Sequence, residues 1–246
     1  MKIRQDLYSK ITEIFLKRLS LFLHGDRDGV SLNSLIKNAS GIFLSTENFI
    51  ANSKFNYPNL YNDSDNSKII YKKVLEEHRL ITSERWNAEL QLFCLLYILI
   101  RSTTPKIIIE TGVANGISTN SILFALNENA NSGVLHSFDI LPETRNSNLI
   151  EGKWIFHLLG KKKTNKQFFR IIENLPKIDI WLHDSNHGYR WQKFEYLLAV
   201  SRLNKNGILI SDDIDSSSAW IEVIPKYFKE SYIIFDSRKF IGIAYN

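Results

Sequence analysis

The sequence predicts an α/β protein with a mostly parallel, doubly wound sheet, and three observations carry that expectation. From residue 84 onward, short apolar runs alternate with longer segments of helical spacing. The run Ile107 to Ile109 is three consecutive β-branched residues, as expected of a strand buried on both faces. Acidic residues stand at or just past the ends of four such runs: Glu110, Asp139, Asp184 and Asp212.

Taken in order, residues 2–23 place Ile3, Leu7, Ile11, Ile14, Phe15, Leu19 and Phe22 on one face of an amphipathic helix. Gly25 to Gly29 punctuates it. Residues 56–67 are rich in Asn, Ser and Asp and read as a loop, with a short helix over 68–80. Thr82-Ser83-Glu84 looks like a helix start, and the apolar segment to Arg101 ends before Thr104-Pro105. Residues 1–83 are accordingly expected to be an N-terminal helical extension, able to serve as a lid, ahead of a main domain over 84–246. Strands are expected at 134–140, 154–159, 178–183 and 208–211, with a helix over 189–203, a turn at Asn204 to Gly207 and a helix over 219–229. The runs 232–235 and 240–244 are separated by DSRK, which is short enough for a hairpin, so the last strand is expected to be antiparallel.

The stretch Lys106 to Ser121, KIIIETGVANGISTNS, reads as strand, glycine turn and helix start. Its spacing is E-x-G-x-x-x-G, with no third glycine and no Gly-Lys-Ser/Thr, so it is a poor cradle for a pyrophosphate. It suits a ligand with an adenosine and a small charged end. A helix N-terminus receives a carboxylate, and Glu110 can face an ammonium. S-adenosylmethionine has such an end and no phosphate. Glu110, Thr111, Gly112, Gly116 and Ser118 are the candidate contacts, with Asp139 at the next strand tip placed to accept hydrogen bonds from ribose hydroxyls. The simpler reading is a turn that only packs a helix on a strand.

Asp184 and Asp212 stand one strand-helix-strand crossover apart, just past their strands. If those strands are neighbours, Asp184, Asp212 and Asp213 converge at the carboxyl edge, where open α/β sheets bind ligands. Their mutual repulsion would be relieved by a hard divalent cation with oxygen ligands, Mg²⁺ above all. His187, three residues after Asp184, is a candidate base. Helix capping by Asp212-Asp213 and a loop hydrogen bond from His187 are the competing readings.

The whole chain sets bounds on these readings. Its 246 residues carry a formal net charge of +5 and a single cysteine, Cys94, so neither a disulfide framework nor a Cys-rich zinc site is expected. Cys94 lies in an apolar helix and reads as an inert core thiol. No basic stripe or RNA-binding signature stands out, so no nucleic acid is expected as partner. Lys161 to Lys163 is a solvated cluster unless it borders the pocket, where it would favour an anionic acceptor. The first residues carry charges and no apolar signal core, and the longest apolar stretch, Leu92 to Ile100, is too short to span a bilayer. The expectation is a cytoplasmic protein, and the N-terminal helix is compatible with a homodimer.

ETGVANGIS, FDI, IDIWLHDSNHGY and NGILISDDI, in this order, resemble the class I S-adenosylmethionine-dependent methyltransferases over about residues 84–246. Within that class the chain is similar to the metal-dependent small-molecule and sugar O-methyltransferases of the macrocin O-methyltransferase type. The resemblance implies a Rossmann-like seven-stranded sheet of order 3-2-1-4-5-7-6. It implies Glu110, Gly112, Gly116 and Asp139 at the cofactor, Asp184, Asp212 and Asp213 at a metal, and His187 as base. Several relatives have D-G-D where this chain has Asp184-Ser185-Asn186. Alternatives left open are an N-methylating or metal-independent enzyme, a non-catalytic S-adenosylmethionine-binding protein, and a nicotinamide oxidoreductase weakened by the missing pyrophosphate fingerprint.

Overall fold

The computed structural model describes residues 29–77, 84–129, 133–141, 153–160 and 164–246. The expected helix over 2–23, residues 25–28 of the glycine turn, Thr82-Ser83 and the Lys161 to Lys163 run lie outside the described residues.

The frame is one eight-stranded sheet. Its strands are β1 (Gly41–Phe43), β2 (Ile107–Thr111), β3 (Val134–Asp139), β4 (Trp154–Leu158), β5 (Ile178–His183), β6 (Leu203–Ser211), β7 (Glu230–Asp236) and β8 (Lys239–Tyr245). Their spatial order is β1-β7-β8-β6-β5-β2-β3-β4. Strand β8 runs antiparallel to both β6 and β7, and the other pairings are parallel. Removing β1 leaves the expected seven-strand order with its antiparallel last strand. The eighth strand is a correction. Residues 41–43 are too few to show a periodicity, and they are held by pairing with β7 and by Phe43 packing on Phe49 and Tyr232.

Helices cover both faces. On one lie α2 (Thr46–Ala51), α3 (Leu60–Glu77), α4 (Leu90–Thr103) and α5 (Ile117–Glu128), whose apolar residues share a core with Ile108, Leu135, Leu182 and Ile210. On the other lie α1 (Leu32–Lys37), α6 (Thr164–Asn174), α7 (Tyr189–Arg202) and α8 (Ala219–Tyr227), packed with Ile109, Phe138, Trp181 and Leu209. Neighbouring residues of one strand thus serve opposite cores, which is why the central strands read as unbroken apolar runs. Cys94 is buried in α4 and burial pushes its thiol up to about 11, as expected of an inert core cysteine. Among the described residues, no helix is long and apolar enough to cross a membrane.

Three local expectations fail, each to a tertiary contact. The loop expected over 56–67 is helical from Leu60. Asp63 accepts from Tyr57 and from Arg101 Nε, Ser64 donates to Glu47, and Asn66 donates to Tyr97. Poor helix formers are tolerated when their side chains are spoken for elsewhere. The helix expected from Glu84 starts at Leu90, after a 3₁₀ turn over Glu84–Trp86. Its first free N–H groups, those of Gln91 and Leu92, donate to the Asp236 carboxylate at the end of β7, a cap from far along the chain. The turn expected at Asn204 to Gly207 is instead part of β6, whose register against β5 shifts between Ile178 and Ile180.

Two histidines face each other across the β3–β4 edge. His136 Nδ1 lies 3.0 Å from His157 Nε2, and the rings stack at 5.3 Å. Burial holds both imidazoles below the usual range, and His157 is lowered to about 4. A group whose folded pKa lies below its unfolded value supplies stability above the unfolded pKa and loses it as pH falls. Between pH 7 and pH 4.5 the wild type is therefore expected to lose roughly 2 kcal/mol more stability than His157→Phe. Parallel thermal melts across that range read the difference, and equal losses refute it.

Candidate active site

The site lies at the carboxyl edge, where β2, β5 and β6 end side by side. Backbone bonds lace these tips together. Asp184 N–H donates to Thr111 O, and Asp212 N–H to His183 O, both at 2.9 Å.

The turn after β2 is built on positive φ. Gly112, Ala114 and Gly116 have φ of 83°, 46° and 79°. At Gly112 a Cβ would stand 2.1 Å from Asp184 O, so only glycine lets the β5 loop pass. At Gly116 a Cβ would meet nothing within 4 Å. Gly116 is also the N-cap of α5, and no side chain caps that end. An uncapped helix start with free space at its N-cap is a setting suited to an anionic ligand group.

The sequence reading places Glu110, Thr111 and Ser118 at a cofactor, with the Glu110 carboxylate facing an ammonium. The structure turns all three inward. Glu110 is fully buried and accepts from Ser118 at 2.7 Å, Thr119 at 2.8 Å and Ser137 at 2.6 Å. Burial raises its carboxyl to about 7 against these three hydrogen bonds. Thr111 Oγ1 donates to Glu195 at 2.7 Å. These side chains build the turn from below. Asp139 sits at the tip of β3, as expected, and grips the turn. One oxygen accepts from Val113 and Ala114 N–H at 2.8 and 3.3 Å, the other from Ile140 and Leu141 N–H at 2.6 and 3.0 Å.

The acidic cluster assembles from two strand tips. Asp184, His187 and Asp212 each offer a ligand atom, and these atoms lie within 4.8 Å of one another. His187 Nε2 is 3.8 Å from Asp184 Oδ1 and 3.7 Å from Asp213 Oδ2. Asp213 takes φ of 50°, an uncommon backbone for a non-glycine residue. Burial, then the neighbouring Asp212, pushes the Asp184 carboxyl well above its usual range. Asp212 is 1% exposed, and its Oδ1 is buried without a hydrogen-bond partner. An orphaned buried carboxylate oxygen beside further carboxylates is what a hard cation's donor set looks like without the cation.

Sequence reasoning missed two groups here. Lys239, the first residue of β8, is 5% exposed and donates to Asp212 Oδ2. Although burial works against it, the charges of Asp212, Asp184 and Asp213 raise its ammonium above the usual lysine range. Nothing in KFIGIAY marks that lysine as inward. Glu195, fully buried on α7, accepts from Thr111 and from Ser185 at 2.7 Å and pairs with His183 Nδ1 at 2.8 Å. It thereby ties the glycine turn to the loop carrying Asp184 and His187. Here a signal existed: Gln192, Glu195 and Tyr196 form a buried polar face at helical spacing.

Residues 109–214 match a family described as "Methyltransferase domain". Among solved structures, a candidate O-methyltransferase from Klebsiella pneumoniae superposes with a TM-score of 0.51 at 14% identity, covering 82% of this chain and 96% of the other. A methyltransferase from Geobacter sulfurreducens gives 0.50 at 16% identity, covering 74% and 89%. The O-methyltransferase from Bacillus cereus, solved in complex with SAH, gives 0.48 at 12% identity, covering 83% and 98%. No curated protein matches the chain. Residues 109–214 thus resemble a methyltransferase domain, and the chain has the Rossmann-like fold of the solved O-methyltransferase it superposes on.

Proposed function

We propose that this protein moves the methyl group of S-adenosylmethionine to a hydroxyl of a sugar or another small hydroxylated metabolite, with a divalent cation, Mg²⁺ by preference, at the aspartate cluster. The observation that carries this reading is the convergence of Asp184, His187 and Asp212 beside an open glycine turn. The backbone of Gly112 to Gly116 and the start of α5 would receive the donor's carboxylate, and Asp139 its ribose. Asp184, Asp212 and Asp213 would hold the cation, which when bound polarises the acceptor oxygen.

His187 is the group placed to take the hydroxyl proton, and the carboxylates of Asp184 and Asp213 beside Nε2 stabilise the imidazolium that results. The O–CH₃ bond forms as the S–CH₃ bond breaks, the sulfonium leaves as a neutral thioether, and the proton passes from His187 to solvent. Holding donor and acceptor in line supplies much of the rate. The acceptor, anionic or sugar-linked, would enter at this edge.

The test is turnover on a panel of hydroxylated acceptors after chelation. Activity is expected to fall on the order of 10³-fold and to return with Mg²⁺. Full activity in chelator removes the metal from the proposal. Binding of S-adenosylmethionine without methylation of any acceptor favours a non-catalytic protein.

A further inference from the structure

The buried ammonium of Lys239 has no place in the chemistry above. It is not a ligand, because an ammonium has no lone pair to give. It is not the base, because the surrounding carboxylates keep its proton on. Yet it is buried, and it sits on a carboxylate assigned to the cation. Its strand is held on both sides: Lys239 pairs with Asp236 of β7, and further along β8 residues Gly242 to Tyr245 pair with Ser211 to Ile208 of β6.

Charge explains the arrangement. Asp184, Asp212 and Asp213 together carry three negative charges when ionised. One ammonium leaves a deficit of two, the charge of a divalent cation. Without metal, Lys239 holds one oxygen of Asp212 and offsets part of the repulsion that would otherwise push the tips of β5 and β6 apart. With metal, the same ammonium repels the incoming dication at short range, while Asp212 Oδ1 is left available to it.

Resting on the metal-dependent reading, we propose that Lys239 is a tethered counter-cation of the aspartate cluster, keeping the metal-free site assembled and lowering its affinity for the divalent ion. A lysine that merely fills space would raise both fold stability and metal affinity, or neither. The counter-cation moves them in opposite directions, and that is the signature to read.

The experiment titrates Mn²⁺ into metal-stripped full-length protein by calorimetry, with thermal melts of the same samples. Lys239→Met keeps the apolar stem and removes the charge; Lys239→Arg keeps the charge. For K239M a lower metal-free Tm is expected, together with Mn²⁺ binding about tenfold tighter or more. K239R is expected to hold wild-type affinity within about threefold. If K239M folds only with Mn²⁺ present, that too supports the proposal. Unchanged or weaker binding by K239M while the wild type binds overturns the proposal and leaves the metal reading standing. Binding by neither protein overturns both. Failure of K239M to fold even with Mn²⁺ marks Lys239 as structural and overturns the proposal alone.

Discussion

Asp184→Asn is expected to lower turnover on the order of 10³-fold while leaving S-adenosylmethionine affinity within about threefold. The substitution is nearly isosteric, so the backbone bond from Asp184 N–H to Thr111 O, which holds the glycine turn, survives. The negative charge shared with Asp212 and His187 does not. A sign argument gives a second readout. The folded protein holds the Asp184 carboxyl well above its usual range, through burial and the charge of Asp212. A carboxyl raised on folding supplies stability that is present below its unfolded pKa and lost as pH rises. Wild-type metal-free protein has lost that contribution at pH 7.5, whereas the amide never ionises. D184N should therefore melt about as the wild type does near pH 4 and a few degrees higher at pH 7.5. Activity measured with calorimetry of the methyl donor and melts at both pH values checks all three expectations. Equal loss of turnover and donor affinity would make Asp184 a structural residue.

The sheet was legible in the sequence because its strands are buried on both faces, and burial writes itself as runs such as Ile107 to Ile109 and Ile178 to His183. The site's outline was legible for a related reason. Open α/β sheets gather ligands at one edge, so acids at strand tips share a neighbourhood once strand order is right. What the sequence hid depends on partners remote in the chain. The start of α4 is set by Asp236, and the helical state of residues 60–67 by Tyr57, Glu47, Tyr97 and Arg101. Lys239 becomes meaningful only when the hairpin folds back to lay β8 against β6. Glu110, Thr111 and Ser118 show the converse. Their positions in the motif were right for a turn, but their side chains are satisfied inside the protein. A motif fixes where the backbone goes, and hydrogen-bond partners decide which way a polar side chain points.

The two glycines of that turn are expected to fail differently. At Gly112 an added methyl would stand 2.1 Å from Asp184 O, 2.6 Å from its carbonyl carbon and 2.8 Å from Ser185 Cα. All three are backbone atoms, so no rotamer change relieves the clash, and φ of 83° adds its own strain. Gly112→Ala must separate the β2 turn from the tip of β5, which carries Asp184. It is expected to cost about 3–5 kcal/mol, to lower Tm by roughly 10 °C, and to abolish turnover. Gly116→Ala meets no atom within 4 Å. It costs only the left-handed backbone, about 1–2 kcal/mol, but it puts a methyl group into the space at the start of α5 where the donor's carboxylate is expected. Its Tm should fall by only a few degrees while S-adenosylmethionine affinity drops on the order of tenfold, and Gly116→Val should deepen the second effect more than the first. Melts and donor calorimetry on the three variants decide the matter. Unaltered donor affinity in both Gly116 variants would show that the methyl donor does not lie against this turn, and the placement of the active site would have to be given up.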